Sequence, residues 1–152
     1  MTHAVTDSER LAIERACEQL VIDSATFNDH KDWVSLAALY APEAVVTRPT
    51  GDQLVSREAI EASYAAGPPD RVTRHFCTNL RVHVDSPTTA HATTVVLIVF
   101  GDGTQEPDGP FGVTANERQL IGEFADLFVR TEEGWRIASR HAYMVMHTKE
   151  TS

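Results

Sequence analysis

At 152 residues, with 42% hydrophobic and 23% charged side chains, the chain has the composition of one globular domain, spanning 1–152, that can bury a substantial core. A formal net charge of −9 excludes the concentrated basic surface that nucleic acid needs. No apolar run approaches the roughly 20 residues of a membrane-spanning helix, and the opening Met1-Thr2-His3-Ala4 lacks the basic-then-apolar layout of a secretory leader, so a cytoplasmic location is expected.

Cys17 and Cys77 stand alone, one on a helical apolar face and one in a strand, which is neither a disulfide framework nor metal spacing. Free buried thiols are expected. His30, His83, His91, His141 and His147 are scattered, and no trio of His, Asp or Glu sits at ligand spacing, so no metal is expected.

Taken in chain order, Thr6-Asp7-Ser8-Glu9 is a capping box, and Leu11, Ile13, Ala16, Cys17, Leu20, Val21 and Ala25 then recur at helical spacing. This long first helix ends near Phe27-Asn28-Asp29. A short second helix is expected over 31–40, with Trp33, Leu36, Leu39 and Tyr40 on one side and Pro42 as its boundary. A short strand over 44–48 stops at Pro49 and the turn Thr50-Gly51-Asp52. Ser56 caps a third helix that runs to about Ala66 and breaks at Gly67-Pro68-Pro69.

From there the pattern changes to strands. Residues 73–84 are rich in β-branched and aromatic side chains, with His75 near the start, and end at Asp85-Ser86-Pro87. A second long strand covers 88–100, an exposed loop 101–112, a third strand 113–131, and a fourth 135–147 after the turn Glu132-Glu133-Gly134. Helices followed by long antiparallel strands indicate an α+β domain with a strongly curved sheet bent around the helices. Such a cone, closed at one end by helices, holds a small apolar ligand.

Three stretches carry a resemblance. Asn28-Asp29-His30-Lys31-Asp32-Trp33-Val34-Ser35-Leu36, continuing to Tyr40-Ala41-Pro42-Glu43-Ala44-Val45, resembles the helix-to-strand passage of the NTF2-like superfamily. Thr73-Arg74-His75-Phe76-Cys77-Thr78-Asn79 resembles the histidine strand of its polyketide-cyclase-like (SnoaL-like) branch. Gly122-Glu123-Phe124-Ala125-Asp126, with Glu133-Gly134-Trp135-Arg136-Ile137 and Arg140, resembles the closing hairpin. The resemblance spans nearly the whole chain and implies the cone-shaped NTF2-like barrel. Within the superfamily the chain looks most like scytalone dehydratase and hexachlorocyclohexane dehydrochlorinase, which use an aspartate after the first helix to orient a histidine on the first long strand. Asp29 and His75 fall at those positions; Val46, Val96 and Ile98 fall at pocket-lining ones. Two departures stand out: Asn28 replaces the tyrosine that precedes the dehydratase's aspartate, and the apolar Ile98-Val99-Phe100 region replaces its second histidine.

The implied chemistry is cofactor-independent elimination or isomerisation on a small, largely apolar cyclic substrate. A histidine, with an unperturbed pKa of about 6.5, can take a proton near neutral pH. A carboxylate on one ring nitrogen fixes the tautomer and stabilises the imidazolium. The residues alone also allow a core histidine bonded to a backbone carbonyl, and an Asp29 that merely ends a helix. Arg48 is a candidate contact for a ligand carbonyl or carboxylate, or else a solvated strand end. Tyr40, Tyr64 and Trp33 are candidates for the cavity mouth or for core, and Met144 and Met146 for core. Glu123 and Asp126 have opposite strand parity, so at most one faces inward, and Asp126 is expected to form a structural pair with Arg140. Two other functions stay open: a non-catalytic binder of a small hydrophobic ligand, and an interaction module using the outer sheet face. The resemblance implies a homodimer or homotrimer.

Overall fold

The computed structural model describes residues 3–151; Met1, Thr2 and Ser152, and with them the reading of the extreme N-terminus and the outer limits of the domain, lie outside the described residues. The first helix, α1 (Asp7–Asp29), opens on the expected capping box: the Thr6 hydroxyl accepts from the Glu9 N–H at 3.2 Å, and the Glu9 carboxylate accepts from the Thr6 N–H at 2.8 Å. Ile13, Cys17, Leu20, Val21 and Ser24 form its buried face. Its end is a Schellman turn, in which Lys31 N–H donates to Asn28 and Asp32 N–H to Phe27. Lys31 takes the left-handed position at φ 57°, where glycine is usual.

The second helix, α2 (Trp33–Ala38), is shorter than the 31–40 expected, because Tyr40 opens a strand, β1 (Tyr40–Thr47). Pro42 does not bound the helix. It lies exposed inside β1, in the interval between Tyr40 and Val45 where the register against the last strand shifts and no ladder donor is required. A three-residue strand, β2 (Gln53–Val55), was not visible in the sequence; then come α3 (Arg57–Ala65), capped by the Ser56 hydroxyl, β3 (Arg71–Ser86) and β4 (Thr89–Asp102). The strand expected over 113–131 begins only at Leu120. Residues 114–118 are exposed and offer no apolar side to bury, so the loop runs on, with one 3-10 turn at Gly109–Phe111, to β5 (Leu120–Thr131). Finally β6 (Gly134–His147) returns along it.

The six strands form one sheet in the order β2-β1-β6-β5-β4-β3, antiparallel except for the β1–β6 pair. Three helices packed on it make the expected α+β fold. The sheet does not close into a barrel: β2 and β3 are its two ends. It bends at bulges instead. Asn79, at φ 50°, lies where β3 gains a residue over β4, and Gly122 lies where β5 shifts against β6. A Cβ on Gly122 would stand 2.6 Å from the Tyr143 carbonyl oxygen, so only glycine fits there. The main core joins α1, α2, β1 and Ile60 of α3 to Phe128 and Ile137; a second cluster of Val96, Ile98 and Phe124 lies further along the inner face. Among the described residues no helix is long and apolar enough to cross a membrane.

Candidate active site

Between the inner face of the sheet and the helices lies a cavity of about 540 Å³. His75 lines it, and Asp29 stands behind His75. The Schellman turn stops α1 at Asp29, which delivers the carboxylate to the start of β3. There Asp29 Oδ1 meets His75 Nδ1 at 2.5 Å and accepts from the Thr73 hydroxyl at 3.0 Å, while Oδ2 accepts from the His75 backbone N–H at 2.9 Å. Both side chains are only 10% exposed. Burial pushes the Asp29 carboxyl up, but the hydrogen bonds and charge of His75, with the Thr73 hydroxyl, outweigh it and hold the group below the usual aspartate range. Beside an ionised Asp29, Nδ1 of neutral His75 carries the proton and Nε2 keeps its lone pair. Thr73 was readable in advance, since it shares the strand face of His75 two residues on.

A second polar group lines the cavity, one the sequence assigned only to structure. Arg140 pairs with Asp126 directly across β5 and β6, Nε to Oδ1 at 2.7 Å and Nη2 to Oδ2 at 2.8 Å, and donates from Nη1 to Ser24 Oγ of α1 at 3.0 Å. Its guanidinium carbon lies 4.2 Å from the centre of the Phe124 ring. Burial works against the charge, yet the Asp126 carboxylate outweighs it and the guanidinium is held more firmly protonated than usual. Among the described residues three of its five N–H donors are engaged and two are uncommitted. The pairing of Asp126 with Arg140 is as expected; the cavity position of Arg140 was missed, although it shares strand parity with Ala142 and Met144, which also line the cavity. Glu123 faces the other way and accepts from the Tyr143 hydroxyl.

Val46, Ile98, Arg48, Trp33, Tyr64 and Met144 line the cavity. Trp33 and Tyr64 stack at 6.0 Å between ring centres and tie α2 to α3. Tyr40 and Val96 do not line it. Tyr40 begins β1 instead of ending a helix, and so points into the core, fully buried, its hydroxyl without a hydrogen-bond partner among the described residues. Val96 is fully buried in the cluster with Ile98 and Phe124. Arg48 is half exposed and bound to Asp52 through Nε and Nη2. Met146 is exposed. The cysteines are free; burial pushes Cys17 up to about 12 and raises Cys77, so both are thiols at neutral pH. Among the described residues no group of three His, Cys, Asp or Glu could hold a metal ion.

Known proteins show the same architecture. A candidate scytalone dehydratase from Novosphingobium aromaticivorans superposes with a TM-score of 0.80 at 22% identity, covering 97% of this chain and 93% of its own. A type 2 hexachlorocyclohexane dehydrochlorinase (LinA) gives 0.78 at 17% identity over 97% of both chains, and a candidate dehydratase of the NTF2-like family from Streptomyces avermitilis 0.72 at 20% over 86% and 94%. At these identities the likeness shows the fold. The comparison with curated protein sequences gave no match. The model of the SnoaL-like domain matches residues 9–141, which takes in both helix-end Asp29 and the Asp126–Arg140 pair, and the chain therefore belongs to the SnoaL-like family of the NTF2-like superfamily.

Proposed function

We propose that the protein is a lyase or isomerase in which His75 is the general base, oriented by Asp29, acting on a small, largely apolar cyclic substrate. The observation that carries this reading is the 2.5 Å contact between His75 Nδ1 and Asp29 Oδ1 at the wall of a cavity large enough for such a molecule. Nε2 takes a proton from an acidic carbon. The C–H electron pair becomes the new double bond, and the β carbon releases hydroxide or halide with its bonding pair. In an isomerisation the imidazolium returns the proton at another carbon instead. Arg140 supplies a fixed positive charge for the leaving group or a developing enolate. The dehydratase and dehydrochlorinase among the structural neighbours support this class of reaction. A cytoplasmic homodimer or homotrimer completes the reading.

The test is a screen of small cyclic alcohols, ketones and halides for loss of water or acid, followed by two substitutions. His75→Ala is expected to lower kcat by about 10²–10⁴-fold, the range for a general base; Asp29→Asn, which no longer fixes the tautomer, by at least about tenfold. Both should keep the wild-type circular dichroism spectrum. Unchanged turnover in His75→Ala overturns the reading. No turnover of any compound by the wild type, with ligand affinity unaltered in both variants, identifies a binder.

A further inference from the structure

Among the described residues, the lysine and arginine side chains of Lys31, Arg48, Arg71 and Arg140 line the cavity, and no aspartate or glutamate does. Over the whole chain the balance is the opposite, 22 acidic residues to 13 lysines and arginines. Arg140 is ion-paired with Asp126, and Arg48 with Asp52. The other two are not: among the described residues neither Lys31 nor Arg71 forms a salt bridge. The Lys31 ammonium rests on the carbonyl of Pro69 at 2.5 Å, two residues from Arg71, and the Arg71 guanidinium lies 5.9 Å from the centre of the Phe100 ring. Both cations line the cavity, and Lys31 is anchored to the segment that leads into Arg71.

Arg71 also borders a second groove, lined by Asp70, Asp102, Arg118 and Glu150, that shares Pro68, Arg71 and Phe100 with the cavity, but among the described residues none of these carboxylates forms a salt bridge with Arg71. The carboxylate of Asp29 is covered by its three donors from Thr73 and His75. Leu36, Ile98 and Phe124 give the cavity an apolar wall. Two unpaired cations bordering such a wall match a molecule with one charged end and one apolar body, since a guanidinium offers a carboxylate two parallel donors.

We propose that the cavity takes an organic anion, an apolar ring or chain bearing one carboxylate, with its charge on Arg71 and Lys31 and its body against Leu36, Ile98 and Phe124. This rests on the cavity being a substrate site and not on His75 being a base. Titration calorimetry of the intact protein with 2-naphthoate and with its neutral counterpart 2-naphthamide tests it. Naphthoate binds about tenfold tighter, a difference that shrinks as sodium chloride is raised, because the rim is exposed. The double change Arg71→Gln/Lys31→Gln abolishes the preference, and Arg118→Gln, which alters only the second groove, leaves it. His75→Ala also leaves it, so loss of turnover and loss of anion preference are read separately. Equal affinity for the two compounds, no saturable binding of naphthoate, or a preference that survives the double change or disappears in Arg118→Gln overturns the proposal.

Discussion

Asp126 and Arg140 occupy facing positions on β5 and β6 with almost no exposure, and the pair is tied to α1 through Ser24. Two roles meet in that one guanidinium, structural support and a positive charge at the cavity wall, and single substitutions confound them. Removing one partner of a buried pair strands the other charge at a cost of about 3–5 kcal/mol, whereas replacing both by apolar groups of similar volume is often neutral. Arg140→Met alone is therefore expected to lower the denaturant midpoint sharply, and Arg140→Met/Asp126→Leu to recover most of the stability. Turnover should remain lost in both. If the double variant regains turnover along with stability, Arg140 serves the fold alone and its part in the proposed chemistry falls.

At the scale of the element, the end of α1 shows how strain and function meet. Lys31 occupies the left-handed position of a Schellman turn, which costs a non-glycine residue about 1–2 kcal/mol, and its side chain reaches the Pro69 carbonyl at the cavity rim. Lys31→Gly relieves the backbone strain and should raise the thermal midpoint relative to Lys31→Ala, which keeps the strain and loses the link. A glycine variant melting below the alanine variant would show that the helix end is not strained. The same region explains what was legible in the sequence. The capping box, the long helix and the helix-to-strand order follow from local spacing, whereas the pairing of Asp29 with His75 was legible only through the resemblance to the SnoaL-like branch. Tyr40 was misread because Trp33, Leu36, Leu39 and Tyr40 fit a helical face as well as they fit a helix followed by a strand. β2 is three residues long with two of them exposed, too short to leave a pattern. That Arg140, Lys31 and Arg71 line the cavity was invisible for another reason: each position depends on which element packs opposite, and that is settled by the sheet order rather than by neighbours in the chain.

For the molecule as a whole, the outer face of the sheet is the feature the monomer leaves unexplained. Register places Phe76, Leu97, Ile121 and Met146 in one row across β3, β4, β5 and β6. Phe76 is 55% and Met146 56% exposed, and Leu127 and Tyr143 add exposed apolar surface on the same side. Strands of about 12 residues, side by side at about 4.8 Å, give a face of roughly 40 by 20 Å. Such a face is large enough to hold the about 800 Å² per partner that a stable interface buries. A partly exposed apolar row on the outer face fits a second copy of the same face better than it fits water, and this is the physical ground for the proposed homo-oligomer. Phe76→Glu puts like charges against one another in a symmetric contact while touching nothing on the cavity side. Sedimentation equilibrium should then show a dimer or trimer for the wild type and a monomer for Phe76→Glu, with the circular dichroism spectrum unchanged. A wild type that sediments as a monomer at 100-fold different loading concentrations removes the oligomer from the reading and leaves the cavity chemistry to be judged on its own.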